Sequence, residues 1–358
     1  MNDPRCRWPY DSAARARRRR KLSIATRASL TRTLWRVHCA NMRQPRPLKA
    51  DMALLSELRY PTRWYSKLIA AVLALAFFTF VAAAIISGFV VYNIVTPRTG
   101  SQPIDLANFP GHPEQISYSG ESVGTREGWF FPGLKSAPTI LLCPGYGEGR
   151  EELLPLATAL QEQGYNVTLV QFTGEGSKIG AETTLGYREV QELRAALSTL
   201  AQRTDVDKSR FGLWGTDMGS YAALSLAESD PRVRGIAIES VYDQPQEMLR
   251  ILVNRYGIGS LPLLSSFTEK AFAWLNYNDS GVPPLAQRLP RLAGVPKLFI
   301  EASDNPDLAR TTSRLFVEAP EPKEQATILR GNYAGMLDEE KRSYENRIAS
   351  FFLSNLPR

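Results

Sequence analysis

Residues 210–224 read RFGLWGTDMGSYAAL, an apolar run that passes between two glycines into a helix-forming segment. The run predicts a buried strand, and Gly215-Thr216-Asp217-Met218-Gly219 predicts a sharp turn before a helix. Glycines are required there because the turn is strained and the backbone packs closely around its central residue. We therefore expect the Asp217 side chain to stand above the end of a sheet, at the amino terminus of a helix.

Strand-like and helix-like segments alternate on both sides of this turn. This alternation predicts a mostly parallel sheet with helices on both of its faces. Residues 244–282 interrupt the alternation with helix-like sequence, which we expect to form a lid over a pocket or an ordinary pair of surface helices. The predicted strands are 128–131, 139–143, 166–172, 210–214, 233–238, 297–300 and 325–329. The predicted helices are 151–163, 185–202, 219–228, 311–318 and 338–353.

A long apolar segment precedes this region. The 24 residues from Leu68 to Val91 carry no charge, which is enough to span a hydrocarbon core of about 30 Å as a helix. Trp64, Tyr65 and Tyr92 flank the segment, as aromatic residues do at membrane interfaces. A cleavable signal peptide has a shorter apolar region. The sequence therefore predicts one transmembrane anchor over residues 67–95, followed by a linker over residues 96–113.

Positive charge is concentrated before the anchor. Residues 1–67 hold 17 Lys and Arg against 4 Asp and Glu, a net charge of +13, whereas the whole chain carries +7. The remaining residues therefore sum to −6, which disfavours a nucleic-acid partner for the main domain. Arg59, Arg63 and Lys67 precede the span and only Arg98 follows it closely, so the positive-inside rule places the amino terminus in the cytoplasm and the main domain outside it.

The basic segment over residues 1–66 lacks apolar periodicity in most of its length. Residues 1–51 are expected to be disordered. An alternative is that translation begins at Met52 and that this stretch is not part of the protein. The three cysteines, Cys6, Cys39 and Cys143, leave one thiol in the main domain, so they do not indicate a redox compartment.

From about Pro138 to the carboxyl terminus, roughly 220 residues, the chain resembles bacterial α/β-hydrolases of the serine-aminopeptidase, lysophospholipase and acyl-peptidase type. The resemblance implies an α/β-hydrolase fold over residues 114–358, with helices on both faces of the sheet and a helical lid. The stretches that carry it are GYGEGREELLPLA, LGYREVQEL, LWGTDMGSYAALSLAESDPRVRGIAIES and VPKLFIEASDNP.

The resemblance also implies where a catalytic site would lie. Asp217 stands at the position of the nucleophile, and the backbone N–H groups of Tyr146 and Met218 are expected to form an oxyanion hole. The acid position falls on Asp304 or Asn305. The catalytic histidine position falls on Tyr333. The loop that contains Tyr146 fails the dinucleotide pattern G-x-G-x-x-G because residue 150 is arginine, and we expect neither a cofactor nor a metal.

Four positions depart from the family pattern together. The elbow serine is Asp217, a following glycine is Ser220, the histidine is Tyr333, and residues 171–177 read QFTGEGS where the family carries aspartate, arginine and histidine. The two histidines of the chain, His38 and His112, lie before the main domain. A serine–histidine–acid triad needs the histidine to take the serine proton and to activate water. The sequence therefore indicates a degraded triad.

Three functions follow as hypotheses. The first is a catalytically inactive or strongly impaired protein that binds a small acyl or peptide ligand, or a partner protein whose nature the sequence does not give. The second is a hydrolase in which Asp217 is the covalent nucleophile and Glu175 or Glu239 replaces the histidine as base. The third is a structural membrane protein whose pocket is filled by its own Tyr333 and Met218.

Overall fold

The computed structural model describes residues 64–97, 109–120, 123–173, 182–277 and 281–358. The expectations for residues 1–63, for most of the linker and for Glu175 lie outside these residues. The chain divides into two units after Ala76. The described part of the first unit is the beginning of a helix, and the second unit, residues 77–358, carries the sheet.

The helix α1 (Trp64–Val95) contains 32 residues. At 1.5 Å per residue it is about 48 Å long, and it is long and apolar enough to cross a membrane. Its two ends differ in their surroundings. Trp64 and Leu68 at the amino end are exposed, whereas Val90, Val91, Ile94 and Val95 at the carboxyl end are buried in the core of the second unit. The end of α1 is therefore part of the folded domain.

The described residues form one eight-stranded sheet in the order β1-β2-β4-β3-β5-β6-β7-β8. The pairs β1–β2 and β2–β4 are antiparallel, and every other neighbouring pair is parallel. The strands are β1 (Glu114–Gly120), β2 (Val123–Phe131), β3 (Thr139–Cys143), β4 (Asn166–Leu169), β5 (Phe211–Thr216), β6 (Val233–Glu239), β7 (Lys297–Ala302) and β8 (Lys323–Ile328). This arrangement confirms the predicted mostly parallel sheet.

The strand side chains alternate between two hydrophobic clusters, one on each face of the sheet. In β3, Leu141 and Cys143 belong to one cluster, and Ile140 and Leu142 belong to the other. Helices cover both clusters, which explains why the parallel strands are continuous apolar runs. After α1, the helices are α2 (Leu154–Glu162), α3 (Tyr187–Leu200), α4 (Asp217–Ala227), α5 (Pro245–Arg255), α6 (Pro262–Leu275), α7 (Leu285–Arg288), α8 (Pro306–Glu318) and α9 (Asp338–Asn355).

The region predicted as a lid consists of α5 and α6. Leu249 and Leu252 of α5 and Phe272 of α6 are buried in the core, whereas Trp274 and Leu275 of α6 are exposed. Arg255, at the end of α5, reaches a cavity near Asp217. Both helices therefore contribute to the domain core, and α5 also contributes to the wall of that cavity.

Loops at the carboxyl ends of the parallel strands meet at one edge of the sheet. Cys143 at the end of β3 pairs with Gly215 in β5, so the loop that follows Cys143 lies beside the turn that contains Asp217. The loops after β7 and β8 reach the same edge and contribute Asp304 and Asn332. Ligands of open α/β sheets bind at this edge.

Candidate functional site

The turn between β5 and α4 is a strained strand-to-helix elbow. Asp217 has a φ of +31°, in the left-handed region that residues other than glycine seldom adopt. A Cβ atom on Gly219 would lie 2.1 Å from the carbonyl oxygen of Cys143, and one on Gly215 would lie 2.5 Å from the carbonyl carbon of Gly219. Only glycine fits these two positions. The sharp turn expected from the sequence is therefore formed, and it places Asp217 at the amino terminus of α4.

The Asp217 carboxylate accepts hydrogen bonds from two backbone N–H groups. The N–H of Tyr146 donates to Asp217 Oδ1 over 2.7 Å, and the N–H of Met218 donates to the same oxygen. These are the two donors that the sequence suggested for an oxyanion hole. The structure brings all three residues together, with an oxygen of the protein's own side chain at the acceptor position.

Glu148 is a second carboxylic acid at this site, and the sequence analysis did not single it out. Its Oε2 accepts a hydrogen bond from the N–H of Gly145 over 2.8 Å and another from the Thr216 hydroxyl over 2.8 Å. A Cβ atom on Gly145 would lie 2.8 Å from Glu148 Oε2 and 3.0 Å from Asp217 Oδ1, so the two carboxylates flank the same backbone position. The position of Glu148 in the loop PGYGEG (residues 144–149) is the signal that could have identified it as a residue of the site.

Burial and mutual repulsion shift the pKa values of these two acids upward. Burial raises the pKa of Glu148 to about 7, and the neighbouring Asp217 carboxylate adds to the shift, whereas the hydrogen bonds from Thr216 and Gly145 oppose it. Burial also raises the pKa of Asp217, against the lowering effect of the Met218 and Tyr146 N–H groups. Two carboxylates this close are not readily ionised together. The N–H donors oppose the rise at Asp217, and Glu148 exchanges its proton near pH 7.

A cavity of about 300 Å³ opens beside the two acids. Its lining includes four acidic side chains, and Arg255 is the one cationic residue that the described part of the chain contributes to it. The acidic groups do not form a cluster able to hold a metal ion within the described residues. The lining residues are Tyr146, Gly147, Glu148, Glu152, Thr216, Asp217, Ser240, Arg255, Asp304, Asn305, Leu308, Gly331 and Asn332.

Both candidates for the acid position line the cavity but have different partners. Asp304 Oδ1 accepts a hydrogen bond from the N–H of Gly331 over 3.0 Å, which ties the loop after β7 to the loop after β8. The Asn305 side chain accepts from the N–H of Leu308 and caps the amino terminus of α8. Asn305 therefore has a structural partner in its own helix, whereas Asp304 faces the loop in which a catalytic histidine would lie.

The structure places Tyr333 away from the cavity. Its side chain is buried in the core against Tyr344, and its hydroxyl donates to Glu345. Burial and this hydrogen bond raise the pKa of Tyr333. The neighbouring Asn332 lines the cavity instead. In this loop it is therefore Asn332, and not Tyr333, that borders the cavity, and the Asn332 side chain accepts a hydrogen bond from the N–H of Gly335.

Neither residue expected to plug the pocket does so. The buried Met218 side chain takes a hydrogen bond from the Thr183 hydroxyl over 3.2 Å and does not line the cavity. His112, which has an exposed side chain, is also absent from the lining. The described residues thus give the cavity no imidazole.

Glu239, considered as a substitute base, is fully buried at the end of β6. Its Oε2 accepts from the Tyr344 hydroxyl over 2.6 Å, and that hydroxyl in turn accepts from Trp214 Nε1 over 3.0 Å. Its other oxygen, Oε1, has no hydrogen-bond partner among the described residues. Burial raises the pKa of Glu239 well above its ordinary value. Glu239 is also absent from the lining of the cavity, so the side chain is not placed to act on a ligand there.

The chain has recognisable relatives. No protein-family model matches it. An uncharacterised protein of Mycobacterium tuberculosis is 27% identical over 186 residues, which are 48% of this chain and 64% of that protein, so the match leaves about a third of the relative uncovered. The α/β-hydrolase domain-containing protein WAV2 of Arabidopsis thaliana is 23% identical over 219 residues, 57% of this chain and 69% of WAV2.

Solved structures show the same fold. The esterase Pf2001 of Pyrococcus furiosus superposes with a TM-score of 0.57 at 16% identity and covers 74% of this chain and 98% of its own. A likeness at that identity speaks for the fold alone. The strand order, the elbow at Asp217 and these relatives show an α/β-hydrolase fold and support an assignment to the α/β-hydrolase superfamily.

Proposed function

We propose that this protein is a membrane-anchored α/β-hydrolase homologue in which catalysis is lost or strongly impaired, and that its cavity binds a small ligand. The observation that carries the proposal is the position of Asp217 Oδ1, which accepts from both Tyr146 and Met218 N–H groups. In a hydrolase those donors stabilise the oxygen of the reacting carbonyl. The Asp217 oxygen in their place excludes that carbonyl.

The residues around Asp217 support the same conclusion. Among the described residues, the cavity lining has no histidine, and Glu239 is buried outside that lining. A substrate ester would therefore meet neither a serine nucleophile nor an imidazole base, and loss of general base catalysis alone costs about 10²- to 10⁴-fold in rate.

The charge of the cavity favours one class of ligand. The described part of the cavity lining holds four carboxylic acids and one arginine, Arg255. The acids are Glu148, Glu152, Asp217 and Asp304. Of the acyl and peptide ligands that the sequence suggested, this lining favours one with a positively charged group, such as the free amino terminus of a peptide. Binding of short peptides with free and with acetylated amino termini, compared by calorimetry on the full-length protein, tests this. Tighter binding of the free amine, lost in Asp304→Asn, is expected; equal binding of the two would contradict it.

A second candidate is a slow hydrolase with Asp217 as nucleophile. Because Oδ1 is held by the two N–H groups, Oδ2 is the oxygen left to attack a carbon atom, as in enzymes that displace a halide or open an epoxide. The resulting ester would then need an activated water molecule. Glu148, with a pKa of about 7 beside Asp217, is the group of this cavity suited to take that proton.

Turnover and intact mass, measured together, separate the two candidates. Full-length protein in detergent is incubated with aryl esters, aminoacyl amides, haloalkanes and epoxides, alongside Asp217→Asn and the exposed control Asp307→Asn. Neither turnover nor adduct in any form is expected for a binding protein. Turnover that Asp217→Asn abolishes and Asp307→Asn retains would refute the proposal and establish the nucleophile. A mass adduct without turnover would mean that Asp217 attacks and that no base completes the cycle.

The membrane location is part of the same proposal. The length and composition of α1 and the charges that precede it support a single span with the amino terminus in the cytoplasm. The domain, its ligand and any partner would then lie on the other side of the membrane.

A further inference from the structure

The helix α6 presents two apolar faces, and the domain covers only one of them. Thr268 and Phe272 are buried against the domain core. On another side, Leu263, Phe267 and Trp274 recur at spacings of four and seven residues, which places them on one face of the helix. Trp274 is 78% exposed and Leu263 is 48% exposed. We call this second face, formed by Leu263, Phe267 and Trp274, the outer face of α6.

The outer face lies beside the apolar helix α1. The ring of Phe267 packs edge-on against Phe80 of α1, with 5.1 Å between the ring centroids. The Ser87 hydroxyl donates a hydrogen bond to the carbonyl oxygen of Leu264 over 3.1 Å. Phe80 and Ser87 both belong to the uncharged stretch from Leu68 to Val91. Whatever medium surrounds that stretch at the level of these contacts therefore also meets the outer face of α6.

We infer that α6 inserts its outer face into the lipid bilayer next to α1, so that the domain has a second membrane contact beside its anchor. This inference rests on the proposed membrane location of α1. The domain does not cover the outer face of α6, and this face adjoins α1, a helix of membrane-spanning length. Contact with lipid explains why an apolar surface in that position is left uncovered. Trp274, whose indole has an apolar body and one N–H group, is suited to the boundary between acyl chains and head groups.

The charged residues of α6 are compatible with this orientation. Glu269 lies on the side of the helix opposite the outer face, where it pairs with Arg250 of α5 over 3.1 Å. Lys270 flanks the outer face, and a lysine in that position can extend its ammonium group to the lipid head groups. No carboxylate of α6 therefore has to enter the hydrocarbon region.

The inference is tested on the full-length protein with single cysteines in a background of Cys6→Ser, Cys39→Ser and Cys143→Ala. Leu263→Cys and Trp274→Cys report on α6, and Phe78→Cys reports on α1. Lys208→Cys, at an exposed position in the loop before β5, is the aqueous control. Each is labelled with bimane and reconstituted into phosphatidylcholine vesicles, with or without bromine on the acyl chains. Loss of fluorescence in brominated vesicles measures contact with lipid.

We expect strong quenching at residues 78, 263 and 274 and none at residue 208. Quenching at 78 without quenching at 263 and 274 would overturn the inference and leave the membrane anchor standing. If residue 78 is also unquenched, the anchor itself fails, and the inference fails with it. Protection of 263 and 274 from aqueous iodide, without lipid quenching, would mean that protein, such as a second copy of the chain, covers the outer face; that result also overturns the inference.

Discussion

The proposed loss of catalysis follows from the way Asp217 occupies the oxyanion hole. A hydrolase gains rate because its hole binds the developing oxyanion of the transition state more strongly than the carbonyl of the substrate. Here the N–H groups of Tyr146 and Met218 are already bonded to Asp217 Oδ1 in the resting protein. The stabilisation is therefore realised in the ground state. The same two donors that would accelerate acyl transfer instead fix the Asp217 side chain.

Glu148 should give the protein a measurable pH dependence of stability. The carboxyl group releases its proton near pH 4.5 in the unfolded chain and near pH 7 in the folded one. Between these values the folded state keeps a proton that the unfolded state has lost, so wild-type stability falls as pH rises through this window. Glu148→Gln cannot lose a proton. As pH rises from 4.5 to 7, we expect the free energy of unfolding of the variant to increase by about 2 kcal/mol relative to that of the wild type. This is less than the full pKa shift implies, because the carboxyl group borders the cavity.

Urea unfolding of the detergent-solubilised protein at several pH values measures this gain. Asp230→Asn is the matched control with the opposite sign, because the Arg232 hydrogen bond lowers the pKa of Asp230. That variant should be less stable than wild type at neutral pH, with a difference that shrinks as pH falls through the acid range. A constant difference for Glu148→Gln at all pH values would contradict the raised pKa.

At this scale the sequence predicted which residues meet but not how their side chains are oriented. Asp217 and Met218 could be placed together because a local glycine pattern fixes the turn, and Tyr146 was placed beside them by the family resemblance. The rotamer that puts Oδ1 on both N–H groups follows from packing that no local pattern contains. Tyr333 and Asn332 differ by one position in a loop, and the loop's turn decides which of them faces the cavity.

Among the elements, the buried parallel strands were predictable and the edge strand β1 was not. Strands such as β3 are continuous apolar runs because both of their faces are covered. β1 escaped prediction because, at the edge of the sheet, Ile116 and Tyr118 are its only buried residues. The helices α5 and α6 were predicted as helices. Which of their side chains are buried and which are exposed depends in part on contacts with α1, which is distant in sequence.

Gly219→Ala tests the packing of the elbow between β5 and α4. The added Cβ atom would meet the carbonyl of Cys143 at 2.1 Å, and a backbone atom cannot move aside without shifting β3. We expect a loss of about 3 kcal/mol in the free energy of unfolding. Gly281→Ala, where nothing lies within 4 Å of the added atom, should change stability by less than about 0.5 kcal/mol. Equal effects of the two substitutions in chemical denaturation would show that the elbow is not closely packed.

On the scale of the whole molecule, charge is divided between the two sides of the anchor. Residues before Leu68 carry +13 and the residues that follow are acidic in sum, so the proposed orientation keeps the basic segment in the cytoplasm. This expectation came from composition and spacing alone, since such patterns act over many residues and need no three-dimensional contact. The ligand could not be foreseen in that way, because the cavity is assembled from five separate loops.

Replacing Arg59, Arg63 and Lys67 with glutamine should disturb the orientation of the chain. These residues directly precede the apolar segment in the sequence, and positive charge beside a membrane span resists translocation. We expect alkaline phosphatase fused to the carboxyl terminus to be active in a bacterium for the wild type and less active for the triple variant. Replacing Arg17, Arg18 and Arg19, three equal charges far from the span, is the matched control and should leave activity unchanged. Activity unaffected by either set would mean that these charges do not determine topology.

The burial of the end of α1 means that the domain could not be shed from a membrane by a single proteolytic cut. Val90, Val91, Ile94 and Val95 fill part of the core, and the hydroxyl of Tyr146 and the N–H of Thr183 hold the carbonyl groups of Ile94 and Val95. A protease that severed the chain after residue 97 would leave the two fragments bound to each other. A shortened protein that begins beyond α1 would lack these four side chains and would expose an apolar groove beside the loop after β3. We expect such a protein to aggregate.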